Sequence, residues 1–177
     1  MIAQFKDQII KFALYVAGFQ IGLTLILYIL GPEYMAQFWV GILAFLVSIG
    51  IVVWGILQTR GSQDGFISFK EAFTIGFLVL FLAGLAGALF NVLLYTVIDP
   101  ELAVQVKEIT IERTVGMMEN FGASETEIDE AVQNIQKQDF GLKQQLTGLG
   151  WSIPINAILA LIIAAFTKKN RPEFFED

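Results

Sequence analysis

The sequence contains no cysteine and no histidine among its 177 residues. Without thiols there are no disulfides and no thiolate nucleophiles or metal ligands. Without imidazole the usual zinc sites, histidine bases and histidine proton relays are excluded too. No cofactor, metal or catalytic residue is therefore expected, and the chain reads as a non-enzyme. Positive charge is also scarce: 11 Lys and Arg stand against 17 Asp and Glu, a formal net charge of −6. That balance argues against nucleic acid as a partner, because phosphate binding needs clustered cations. Charged residues are absent from the middle of every long apolar run, which weighs against a proton-coupled transporter or ion pump, where intramembrane ionisable groups are the usual signature.

Apolar residues are abundant. They make up 55% of the chain, the mean hydropathy is +0.65, and they fall into four runs. Ile9 to Leu30, Phe38 to Leu57, Ala72 to Ile98 and Leu149 to Thr167 are each long enough to cross a hydrocarbon core, which takes roughly 20 helical residues. The first run is too long for a cleavable signal peptide, and Gly31-Pro32-Glu33-Tyr34 offers no small-x-small cleavage site. The expected fold is all-α: one polytopic membrane domain over residues 1–177 with four transmembrane helices, and an extramembrane two-helix hairpin over 99–147 between helices three and four.

Orientation is read from Lys and Arg in the short flanks. Lys6 and Lys11 precede the first span, Arg60 and Lys70 lie between the second and third, and Lys168, Lys169 and Arg171 follow the fourth. All fall on one side, so both termini are expected in the cytoplasm. The 99–147 segment then faces outward, with four basic residues against ten acidic ones, Asp139 among them. Tyr34, Trp39, Tyr95 and Trp151 would mark the outer interface and Trp54 the inner one.

Within the outward segment, Asp99 can cap a helix that has Pro100 at its first position, and Gly122 can end it. Ser124, with Glu127 three residues on, has the capping-box spacing for a second helix. The first helix carries Leu102, Val106 and Ile109 beside Val115 and Met118. Two roles are open to this apolar surface: packing on the bundle's outer end, or docking an envelope protein or the outer leaflet.

A second polar feature is the stretch "GFISFKEAF", Gly65 to Phe73. Ser68 and Glu71 again have capping-box spacing, so the simplest reading is a helix start at the cytoplasmic interface, with Phe69, Phe73 and Phe77 stacked on one face. The rival reading joins Arg60, Ser68, Lys70 and Glu71 into an anion or lipid-headgroup site. The loop arginine, this stretch, the glycine-interrupted span "TIGFLVLFLAGLAGALF", the "DPE" after it, the acidic segment and the closing apolar helix with its Lys-Lys end together resemble the bacterial membrane family called domain of unknown function 4199. The resemblance implies four membrane helices in a bacterial cytoplasmic (inner) membrane, and it brings no activity or catalytic residues with it.

The spans contain a few uncharged polar residues, among them Gln20, Thr24, Ser48, Asn91, Ser152 and Asn156. Helix-to-helix hydrogen bonds are their ordinary use, and Asn91 and Asn156 both fall toward the outer half. Gly18 and Gly22 form a GxxxG pair, and Gly84 with Ala88 a similar small pair, both suited to close helix packing. Pro154 can kink the last span and open an outer-leaflet crevice. The functional expectation is an accessory or scaffold subunit that presents the hairpin to an envelope partner, or a homo-oligomer, with membrane lipids around it. Two alternatives stand beside it. A lipid-binding protein needs an apolar crevice near Pro154, and a solute channel needs Gln20, Asn91 and Asn156 to face one cavity.

Overall fold

The computed structural model describes residues 2–138 and 141–171. Asp139 and the tail beyond Arg171 lie outside the described residues. Among the described residues seven α-helices follow one another: α1 (Ile2–Leu30), α2 (Pro32–Met35), α3 (Phe38–Gly61), α4 (Phe69–Leu93), α5 (Pro100–Asn120), α6 (Glu125–Gln136) and α7 (Leu142–Thr167). A π-helical turn, Leu94–Ile98, links α4 to α5. Helices α1, α3, α4 with its π turn, and α7 are long and apolar enough to cross a membrane. They leave large side chains bare all round, Ile29 at 82% exposure and Phe166 at 86% for example. A helix apolar on every side belongs in lipid or deep in a core, and these have too few protein neighbours for the second.

The long helices extend past the apolar runs. α1 begins at Ile2 and α7 at Leu142, because the polar residues flanking each run (Lys6, Asp7, Gln144, Gln145) continue the same rod, Lys and Gln being good helix formers.

Close packing is concentrated toward the end of the bundle where α1 starts and α7 ends, called here its terminal end. There Phe5, Ile9, Phe12 and Val16 form one stripe of α1 at helical spacing. They pack with Val52 and Ile56 of α3, Ile75 and Val79 of α4, and Ile163 and Ala164 of α7. Small residues bring the backbones together: a Cβ on Gly76 would lie 3.4 Å from Ile56 Cδ1 and 3.7 Å from both Val52 and Ala160. At this end the chain is also fastened to itself. Arg60 Nη1 donates to the Thr167 carbonyl at 3.1 Å, Ile67 and Lys169 exchange backbone hydrogen bonds at 2.9 and 2.8 Å, and Arg171 pairs with Asp64 at 3.2 Å.

The other end is built on α5. Asp99 accepts from the Leu102 amide at 3.0 Å and from the Tyr28 hydroxyl at 3.2 Å, which ties the start of α5 to the end of α1. Leu102 and Val106 are buried with Leu94 against Tyr28, Met35, Phe90 and Tyr95. Gly122, at φ +74, ends the α5 run in the left-handed conformation glycine tolerates. α6 then lies antiparallel on α5, with Lys107 Nζ reaching the Gln136 carbonyl at 3.3 Å.

Both expected capping boxes are present, at Ser68/Glu71 and Ser124/Glu127. At the second, hydrogen bonds from the Ser124 amide and then its hydroxyl hold the Glu127 carboxyl below its ordinary range. A carboxylate that binds its proton less tightly when folded stabilises the fold fully above its unfolded value of about 4.3, and loses that contribution as pH falls through the folded value. The first turn of α6 is therefore expected to stay protected from amide exchange near neutral pH and to fray as acidification protonates the folded Glu127 carboxylate. Glu127→Gln should flatten this dependence, and a wild-type profile already flat from pH 6 to 3 would refute the coupling.

The aromatic ladder on α4 sits one turn further along than expected. Phe73, Phe77 and Phe81 stack at 5.9 and 6.2 Å, while Phe69 at the helix start lies under the Lys168 ammonium at 5.9 Å.

Candidate functional site

α4 packs on α7 and α1, and α1 on α3, whereas α3 and α7 touch little. They converge near Gly76 and part toward the α5 end. Between them lies a cavity of about 560 Å³, within the range of small-molecule sites. Its walls are apolar: Ile21, Leu23 and Leu27 from α1, Phe45 and Ile49 from α3, Leu80 and Phe90 from α4, Leu149 and Leu159 from α7, with Met35 from α2. Met35 and Phe90 belong as well to the cluster under α5, so the roof of the cavity is the floor of the α5 contact.

Polar groups enter from all four long helices: Gln20 and Thr24, Ser48, Asn91, and Gln145, Ser152 and Asn156. The hydroxyls are spent on their own helices, Thr24 on the Gln20 carbonyl at 2.9 Å, Ser48 on Ala44 at 2.7 Å and Ser152 on Leu149 at 2.8 Å. The amides are not. Gln20 Nε2 donates to Ser48 Oγ at 3.3 Å, and its Oε1 faces Gly87, where a Cβ would approach to 3.4 Å. Among the described residues the side chains of Asn91 and Asn156 have no intramolecular hydrogen bond. Both residues are half-buried on the cavity wall, so their amides are open to whatever fills it. The cavity is thus built to hold something polar as well as something apolar.

Toward the terminal end the cavity stops at the packed layer of Val52, Ile56, Val79 and Ala164, each at most 1% exposed. It is a pouch with a floor, open between α3 and α7.

The small residues expected at helix contacts divide. Gly84 and Ala88 line the pouch, and a Cβ on Gly84 would sit 3.7 Å from Leu149 Cδ2. Gly18 and Gly22 face open space, with nothing within 4 Å of a Cβ on either. The bulky stripe from Phe5 to Val16 sets the inward face of α1, and these glycines lie away from it.

The residues expected to dock a partner are partly covered by this chain itself. Leu102 and Val106 are 3% and 8% exposed beneath the bundle end, while Ile109, Val115 and Met118 are half-buried along α5. The expected anion corner does not converge either. Arg60 caps the end of α7, Ser68 and Glu71 are occupied with each other, and Lys70 is exposed. The 340 Å³ recess beside them is lined by Glu71, Lys169 and Arg171. Of these charges, Arg171 is paired with Asp64 and Lys169 lies over the Phe66 ring at 5.4 Å.

Three pouch residues do not stand out in the sequence. Gln145 and Gly148 precede the apolar run that starts at Leu149 and so read as connecting segment, and Gly87 is hidden in its glycine-rich run. The signal that points to the first two is the unbroken helical pattern from Leu142, which places Gln145, Gly148, Ser152 and Asn156 on one face.

A family model described as "Protein of unknown function (DUF4199)" matches residues 11–169. No curated protein and no solved structure matches the chain.

Proposed function

The chain belongs to this family of unknown function, and from its own geometry we propose that it is a non-catalytic membrane protein that binds a small amphiphilic molecule between its helices. The observation that carries this reading is the floored pouch, in which Gln20, Asn91 and Asn156 all face one apolar-walled space. The packed floor speaks against a channel. The basic flanks at the terminal end favour an orientation with both termini in the cytoplasm and the pouch in the outer leaflet of a bacterial inner membrane. A second reading, an accessory subunit presenting α5 and α6 to an envelope partner, is favoured by Val104, Met117 and Phe121, which are bare at 56%, 56% and 85% exposure.

Native mass spectrometry of the protein taken gently from its own membrane tests the choice. A stoichiometric non-protein adduct is expected. A stoichiometric protein partner with no small adduct would replace the first reading by the second.

A further inference from the structure

The pouch presents polarity without charge. Among the described residues its lining contains no Asp, Glu, Lys or Arg, so a phosphate, carboxylate or ammonium entering it would leave water with no counter-charge, and burying an unpaired charge is far more costly than burying a hydrogen-bonded neutral group. The amides face it from three helices, Gln20 on α1, Asn91 on α4, and Asn156 on α7 with Gln145 three turns before it. Each of these carries two N–H donors and a carbonyl acceptor. In Gln20 one donor is held by Ser48 and the carbonyl is directed at Gly87. What they can satisfy together is a group that both accepts and donates, such as a hydroxyl, or a carbonyl beside a hydroxyl. The rest of the wall suits hydrocarbon, and the gap between α3 and α7 gives a chain a way out, past Phe45, which lines the pouch and is 46% exposed to the surroundings.

Building on the binding reading above, we infer that the ligand is an uncharged amphiphile, its hydroxyl- or carbonyl-bearing head held by Gln20, Asn91 and Asn156 and its tail leaving between α3 and α7. Charged phospholipids and fatty acids surround the protein without entering this site.

The test uses the full chain in nanodiscs doped with equal amounts of monoolein, oleic acid and phosphatidylglycerol, with adducts counted by native mass spectrometry. Monoacetin, which has the same head on a minimal chain, is offered in a separate arm. Wild type is expected to keep one monoolein at least tenfold more often than either charged lipid, and to keep no monoacetin. Asn91→Leu with Asn156→Leu, close in volume, should cut monoolein retention at least tenfold. If that variant fails to fold, the wild-type preference among the probes still decides. No retained adduct of any class would remove the binding reading itself. Preferential retention of oleic acid or phosphatidylglycerol would keep that reading and overturn this one. Equal retention of monoacetin would show that no tail is needed and would also overturn it.

Discussion

Adding a single methyl group at Gly55 is expected to destabilise the terminal half of the bundle severely. A Cβ there would lie 2.6 Å from Cγ of the Phe12 ring, and 2.9 and 3.0 Å from its two Cδ atoms. The ring cannot give way easily. Phe12 is fully buried, packed edge-on against Trp54 at 5.3 Å and Tyr15 at 5.5 Å, with the Lys11 ammonium 5.4 Å from its centroid. Overpacking of this kind costs about 1–3 kcal/mol and sometimes more. Gly55→Ala should therefore lower the midpoint of thermal unfolding in detergent by several degrees, at about 2–4 °C per kcal/mol for a chain of this size. Helix content should survive while α1 and α3 move apart, because each helix keeps its own backbone hydrogen bonds in an apolar solvent. Gly18→Ala, which meets open space, is the control and should change little. Shrinking the ring with Phe12→Leu in the Gly55→Ala background should recover part of the loss. A Gly55→Ala midpoint equal to wild type would mean that the close approach of α1 and α3 does not depend on this glycine.

Filling the pouch should abolish occupancy without harming the fold. Gly148 lines it, and a Cβ added there would meet nothing within 4 Å, so Gly148→Phe places a ring in free space rather than in packed core. Replacing glycine within a helix also removes a conformational cost of about 1 kcal/mol relative to alanine, part of which phenylalanine keeps. The expected result is an unfolding midpoint at or above that of ligand-free wild type, together with at least a tenfold drop in co-purifying small molecule. A variant that still carries the wild-type adduct would move the binding site elsewhere on the molecule.

The chain's own letters reveal some of this architecture and conceal the rest, for a physical reason. Helices, caps and spans are local. Ser68 with Glu71, Ser124 with Glu127, and Asp99 before Pro100 each announce a helix start within four residues, and the structure has all three. The pouch is not local. The positions of Gln20, Asn91 and Asn156 along their helices are readable, but whether three faces meet depends on how α1 and α7 are turned against α4, and no short pattern encodes that arrangement. The same limit explains Gly18 and Gly22. Their spacing suits close packing, yet the direction in which α1 turns is set by Phe5, Ile9, Phe12 and Val16. The apolar stripe of α5 is equally legible, whereas its cover, Tyr28, Met35 and Phe90, comes from three separate segments.

The pairing of α4 with α7 also imposes an order on biosynthesis. Of the described helices, the one α4 packs most closely upon, α7, is made last, after α5 and α6 have emerged. At about 5–20 residues per second, the chain from Leu93 to Thr167 takes roughly 4 to 15 s to appear. During that interval the small-residue face of α4, with Gly76 and Ala83, waits in the bilayer against lipid or an insertion factor. Ile67 can pair with Lys169 only once α7 has emerged, so this backbone pair marks a bundle in which all the described helices are present.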